Sequence, residues 1–422
     1  MQKYNKVLVL SILYVLLFMI AFVSGLQNPF GVIVKEQFGA SNAISQISNL
    51  ANFIAYALMG YPAGKLLTRK GYKFAAMLAA AIGFVGVGVQ MIAGISSSLF
   101  LLITGAFIAG FSMCLMNTLV NPLLNIIGGG GKAGNQLLQY GGSFYTIGGM
   151  VVPFVVGMLI SSEKVLSKAT PVFIFAMVVF AIAFVVIRMT TIPEPGLEAV
   201  RSHSSDDGSC QSECCYQSKY SCLSFRHFVL GALAVFLYMG VEVGIANTSN
   251  LYLTNEVGFT TAAAGAVISL YWLFMVLGRI LAGVAGARFS SKTMLAFVSS
   301  VSFALVVLAM LLPSDIIINI RLGAIPYMPL NILLLLLCGM CVAVMWGNIF
   351  NLAVEGLGRY TSAASGVFMM MVCGGGIVPA FQGLISDHFG YMPSFILVAL
   401  CLAYVLYYAA WGYRNVNKDI PV

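Results

Sequence analysis

One long stretch of this chain is unfit for hydrocarbon. Residues 188–226 carry Glu194, Glu198, Arg201, Asp206, Asp207, Glu213 and Lys219 among prolines and serines, while apolar sequence fills nearly everything on both sides. A membrane-spanning helix needs about 20 mostly apolar residues, and inside a bilayer the backbone must satisfy its own hydrogen bonds. The stretch therefore reads as a soluble bridge between two membrane-embedded halves. Composition agrees, with 60% hydrophobic and 8% charged residues, where soluble domains carry roughly 25% charge.

The apolar run that begins at Val7 is too long for a signal-peptide core and lacks a small-residue cleavage site after it, so it is expected to remain as the first span. Spans are predicted near 7–34, 43–67, 74–95, 98–127, 137–160 and 170–188, then near 227–254, 261–286, 293–312, 328–353, 362–385 and 392–412. The expected fold class is an all-α polytopic membrane protein with twelve transmembrane helices in two six-helix pseudo-repeats. Its expected parts are an N-terminal bundle (1–188), a linker (189–226) and a C-terminal bundle (227–422).

Twelve spans place both termini and the bridge on one side. That side would hold seventeen of the 21 lysines and arginines, Arg279 among them, and the other only Lys35, Lys164, Lys168 and Arg321. By the positive-inside rule the first side is cytoplasmic. The formal charge of +8 is thus accounted for without nucleic acid. The absence of a usable exposed glycosylation sequon fits a bacterial inner membrane.

The halves repeat each other. Ala63-Gly64, Arg69, Gly71 and Lys73 after the second span match Ala282-Gly283, Arg288, Ser290 and Lys292 after the eighth. Asn125, Gly130, Gly148-Gly149, Pro153 and Gly157 recur at a constant offset of 226 as Asn351, Gly356, Gly374-Gly375, Pro379 and Gly383. Two six-span repeats in the same orientation are the pattern of a parallel-repeat transporter, whose site lies between the halves near the midplane. Small residues at span ends let helices approach closely, so the loop from Gly60 to Lys73 reads as a tight hinge. Gly128 to Gly131 followed by Lys132 lacks the spacing and the preceding strand of a phosphate loop.

These residues resemble the major facilitator superfamily and, within it, the fucose and glucose/galactose permease group. The likeness is carried by Tyr61-Pro-Ala-Gly64 with Gly71-Tyr-Lys73, Asn121-Pro122, Phe236 to Glu242, Gly278-Arg279, and the series from Asn351 to Thr361, Gly366, Gly374 to Gly376, Pro379, Gln382-Gly383 and Asp387 to Gly390. The resemblance implies uptake of a monosaccharide, coupled to H⁺ or, in some members, Na⁺. It also marks a departure: proton-linked fucose carriers have an Asp late in the first span and a Glu four residues before the Asn-Pro pair. Here the stretch from Gln27 to Val32 has no acid and the second place is Asn117.

Polar side chains within spans narrow the site, because each is costly in hydrocarbon unless it meets a partner or a wet cavity. Glu242 is the one acid expected near the middle of a span, either as a substrate and coupling-ion ligand or as a neutral structural acid. Gln27, Asn28, Asn117, Asn121, Asn247 and Asn348 supply amides, which both donate and accept and so suit a neutral polyol; each is also an ordinary interhelical bridge. A sugar ring also wants an aromatic face, for which the candidates are Trp346, Trp272, Tyr271, Tyr238 and Tyr145. Trp346, two residues before Asn348, is the preferred stacking residue, against plain packing. Trp411 reads as an interfacial anchor.

Cys114, Cys338, Cys341, Cys373 and Cys401 fall within spans and read as small hydrophobes. Cys210, Cys214, Cys215 and Cys222 cluster in the bridge, where a reducing compartment disfavours disulfides and the spacing is not that of a zinc site. An intramembrane enzyme or receptor is the competing class, but His203, His227 and His388 lie in the bridge or at span ends with no catalytic motif around them. No nucleotide-binding domain is present. The expectation is a monomeric, non-enzymatic transporter in membrane lipid, without cofactor or metal, moving a hexose or, as the alternative, a nucleoside or drug-like solute. H⁺ or Na⁺ is the candidate coupling ion, with Glu242 as its ligand.

Overall fold

The structure, a computed structural model, describes residues 5–128, 131–160, 166–192, 221–285, 289–313, 316–318, 325, 327–357 and 361–416. Twelve crossings follow one another. Spans 1 to 6 are Lys6–Phe38, Ile47–Lys70, Tyr72–Ser96, Leu99–Ile127, Gly131–Ile160 and Thr170–Met189. Spans 7 to 10 are Arg226–Asn255, Thr261–Ala285, Ser291–Leu311 and Leu330–Val354. Span 11 is made of Thr361–Met371 and Gly374–Phe389, and span 12 is Tyr391–Gly412. Cys210, Cys214 and Cys215, the cations Lys164, Arg288, Arg321 and Arg359, and the side chain of Asn28 lie outside the described residues.

Among the described residues, ten helices are long and apolar enough to cross a membrane, and spans 8 and 11 are the least apolar of the ten. Spans 2 and 5 complete the twelve. Span 2 packs along span 11 and span 5 along span 8, so these four helices form the main contact between the two sets of six. A helix covered by protein on two sides needs less apolar surface than one facing lipid. Their lower hydropathy follows from that position.

Glycine permits the close approaches. A methyl at Gly148 would run into the Phe18 carbonyl of span 1, and one at Gly374 into the Phe236 carbonyl of span 7. Gly148 and Gly374 are repeat partners, so span 5 sits on span 1 as span 11 sits on span 7. Prolines mark the irregular points. Pro29 has no N–H to offer the Gly25 carbonyl, and span 1 is interrupted at Leu26 between Lys6–Gly25 and Gln27–Phe38. Span 11, expected as one run, breaks at Val372 and Cys373 ahead of three glycines and Pro379. A two-residue antiparallel pairing of Ile317–Ile318 with Met328–Pro329 closes the connection between spans 9 and 10.

Candidate functional site

Glu242 lies within span 7 and is almost fully buried, at 3% exposure. Tyr238, one turn earlier on the same face, donates its hydroxyl to the Glu242 carboxylate. Tyr271 of span 8 donates to the Glu242 backbone carbonyl at 3.2 Å. The carboxylate opens on a cavity between the two sets of helices. Span 1 lines it with Ala21, Ser24 and Gly25, span 2 with Asn49 and Phe53, and span 5 with Tyr145. Span 7 adds Glu242, Val243, Ala246 and Asn247, and span 8 adds Trp272. The space between these side chains, its mouth included, is about 440 Å³, of which about 30 Å³ is open to the centres of water molecules. Room for about two waters makes it a narrow chamber in this conformation.

Both lining amides bridge the halves. Asn49 donates to the Gly375 carbonyl of span 11 at 2.9 Å, and Asn247 donates to Gln46 Oε1 at the start of span 2 at 2.8 Å. Beside the cavity, buried Tyr56 accepts from Asn117 Nδ2 at 3.1 Å and lies next to Ser24. Asn117 thus reaches the cavity wall through Tyr56 and Ser24.

Of the residues singled out from sequence, Tyr145, Glu242, Asn247 and Trp272 come together on the cavity. Tyr238 stands behind Glu242, and Trp346 packs against Tyr238 with ring centroids 6.1 Å apart rather than on the cavity wall. Asn121 donates to the Asn117 carbonyl at 3.1 Å and Asn348 to the Val344 carbonyl at 2.8 Å, each within its own helix. Gln27 is buried with neither amide atom partnered among the described residues. Ser24, Asn49 and Phe53 line the cavity without having been singled out. The repeat held the clue for two of them: Phe53 precedes Trp272 by the 219 residues that separate Ala63 from Ala282, and Ser24 precedes Glu242 by the 218 that separate Phe18 from Phe236.

Arg279, expected with the loop cations, lies six residues inside the end of span 8. Its guanidinium is set against Gly142 of span 5, so that a methyl there would collide with it. Nε is buried without a partner among the described residues. The charge stands within electrostatic reach of Glu242, Tyr145 and Tyr238. A glycine on the facing helix makes the room that an arginine needs inside a bundle.

On the face opposite the termini, a polar cluster ties the two sets together. Asp387 accepts from the backbone N–H of Asn42 at 2.7 Å and of Ala43 at 3.0 Å. Lys35 donates to Asn42 Oδ1 and to the Tyr391 hydroxyl, which in turn donates to Asn42 Oδ1 at 2.7 Å and accepts from Asn255 at 3.1 Å. On the linker side, Cys222 is buried in the short helix Cys222–Ser224. Burial pushes its thiol pKa up, which keeps it an unreactive thiol. No group of three or more His, Cys, Asp or Glu side chains gathers as a metal site among the described residues.

Comparison with known proteins follows the same lines. A family model described as Major Facilitator Superfamily matches residues 13–379. The glucose/galactose transporter of Brucella abortus is 25% identical over 414 residues, covering 96% of this chain and 94% of its own. The L-fucose-proton symporter of Escherichia coli is 23% identical, covering 97% and 94%. A crystal structure of a Major Facilitator Superfamily transporter, FucP, in the outward conformation superposes with a TM-score of 0.69 at 19% identity, over 96% of this chain and 99% of that one.

Proposed function

The chain belongs to the Major Facilitator Superfamily, and from that premise we propose that it is a secondary transporter for a monosaccharide of the glucose, galactose or fucose type. The observation that carries the reading is the narrow cavity, to which both sets of six helices contribute. Its polar groups are hydroxyls and amides with one carboxylate, a set that matches a neutral polyol. The relatives named for glucose, galactose and fucose supply the sugar class.

Transport proceeds by rocking of residues 1–188 against 227–422 about the contacts of span 2 with span 11 and span 5 with span 8, the linker 189–226 joining the two. Tyr145, Glu242, Asn247 and Trp272 touch the solute, with Ser24 and Asn49 added from the same wall. Tyr238 orients the Glu242 carboxylate, and Tyr56 with Asn117 fixes Ser24. Glu242 is also the group that senses the coupling ion: it is a buried acid beside the solute, within electrostatic reach of Arg279, whose guanidinium rests on Gly142 of the other half. Both termini and the linker face the cytoplasm of a bacterial inner membrane, the side on which Arg69, Lys70, Lys73, Arg226, Lys292 and Arg414 fall.

The test is uptake of labelled glucose, galactose and fucose into proteoliposomes, with imposed proton or sodium gradients and with uridine as a non-sugar control. Saturable uptake of one or more hexoses is expected. Uptake of uridine but of no hexose would overturn the sugar reading.

A further inference from the structure

The repeat relation places two aromatic rings at equivalent stations of the cavity, and no role follows for Phe53 from the transport reading alone. Phe53 of span 2 and Trp272 of span 8 both line the chamber and are separated by the repeat offset. Their seats are equivalent too. The Phe53 ring lies on Gly375 of span 11, where a methyl would come within 2.9 Å of it. The Trp272 ring lies on Gly149 of span 5, where a methyl would come within 3.0 Å. Gly149 and Gly375 are themselves repeat partners. Each residue therefore projects from one half, rests its ring on a glycine of the other, and borders the chamber.

A pyranose has two chemically different surfaces: a rim of hydroxyls and flat patches of C–H. The rim finds its partners in Ser24, Asn49, Glu242 and Asn247. The C–H patches need apolar planes, which aromatic faces provide. We propose that Phe53 and Trp272 are paired platforms, one from each half, that receive the C–H faces of the transported pyranose and so set the preference for a sugar over a more polar, acyclic polyol. This rests on the sugar reading. Because each ring is seated on the opposite half, a sugar held against both is also held by the contact that shifts as the halves rock.

The experiment compares uptake kinetics of wild type, F53A, W272A and the ring-keeping W272F, with hexose and with sorbitol as the acyclic competitor. Loss of either platform is expected to raise the KM for the hexose about tenfold, the loss of roughly one aromatic contact. Sorbitol's inhibition constant should move far less, so discrimination between ring and chain narrows. A merely structural role would instead lower maximal rate and membrane expression with KM and discrimination unchanged, and that result overturns the proposal. If the alanine variants fail to insert, W272F carries the test. It should keep a hexose KM below that expected for W272A while losing the sugar-induced change in tryptophan emission expected of wild type. Retention of that change would assign it to Trp346 or Trp411 and overturn the pairing. Absence of hexose uptake by wild type is a separate outcome, which overturns the sugar reading beneath the proposal.

Discussion

Asn49 of span 2 donates its side-chain amide to the carbonyl of Gly375, the carbonyl that Pro379, four residues later, leaves without its helical donor. The bond thus fills a vacancy created in one half with a donor from the other. At the other contact between the halves, Ser269 of span 8 donates to the Met150 carbonyl of span 5 at 2.9 Å, one residue after Gly149, whose carbonyl Pro153 leaves without its helical donor. Interhelical hydrogen bonds in membranes are worth about 0.6 kcal/mol on average, but an unfilled buried carbonyl costs about 1–3 kcal/mol. Asn49→Ala should therefore lower the thermal midpoint in detergent. In a Pro379→Ala background, where residue 379 regains an N–H, the same change should do less. An equal loss in both backgrounds, read as a double-mutant cycle, would show that Asn49 does not serve the proline's vacancy.

The cluster around Asn42 leads to a conformational prediction. Asp387 holds the backbone N–H groups of Asn42 and Ala43, and Lys35 and Tyr391 hold the Asn42 side chain, so removing the acid frees one half from the other at that face. Asp387→Ala should widen the distance distribution between spin labels at Ile44 and Phe389, both exposed. Charge-assisted bonds of this kind are worth about 1.5–3 kcal/mol, enough to shift a two-state population about tenfold or more. Tyr391→Phe should do the same to a smaller degree. Distances identical to wild type in both variants would show that packing of Gly383 against Asn42 and Ala43, not the polar cluster, closes this face.

Glu242 and Tyr238 can be separated by chemistry. Glu242→Gln keeps an acceptor for the Tyr238 hydroxyl and removes the ionisable group, whereas Tyr238→Phe keeps the acid and removes its hydrogen bond. If Glu242 senses the ion, the first variant should retain sugar exchange between equal pools and lose the response to an ion gradient. The second should retain both with a raised KM, a few-fold for a hydrogen bond of about 1 kcal/mol. Full ion dependence in Glu242→Gln would remove Glu242 from the coupling role.

Most of the spans were legible because they are long and apolar, the less apolar spans 2 and 5 because the alternation of cations between the two sides requires them, and the two-set organisation because glycines and a proline recur at 226. Glycines carry that signal for a physical reason: Gly148 and Gly374 meet backbone carbonyls, and no other residue fits. The site was less legible. Asn348 and Asn121 have the same amide as Asn247, yet they bond their own helices while Asn247 crosses to Gln46. Which way an amide turns depends on the neighbouring helix, not on its own sequence. Phe53 was hidden among apolar residues that also pack against protein, and only its repeat partner Trp272 distinguishes it. Arg279 looked like a loop cation because the glycine that accommodates it, Gly142, lies on another span.

The glycine contacts also predict which substitutions the fold will reject. At Gly148 and Gly374 an added methyl meets the carbonyl and neighbouring backbone of Phe18 and Phe236, and backbone in a packed helix cannot rotate away as a side chain can. Overpacking typically costs about 1–3 kcal/mol, and here the strain falls on the contact between two helices of one half. At Gly347 and Gly366 nothing lies within 4 Å of the added carbon, and neither has a positive φ. Alanine there should be neutral or slightly stabilising, since it also favours the helix. Fluorescence-detected gel filtration of the four alanine variants should give monodisperse peaks for Gly347→Ala and Gly366→Ala and a strongly reduced or aggregated peak for Gly148→Ala and Gly374→Ala. The two disruptive variants should be matched in severity because they occupy one repeat position. A large difference between them would mean that the halves pack their first and fifth helices by different rules despite the shared glycine.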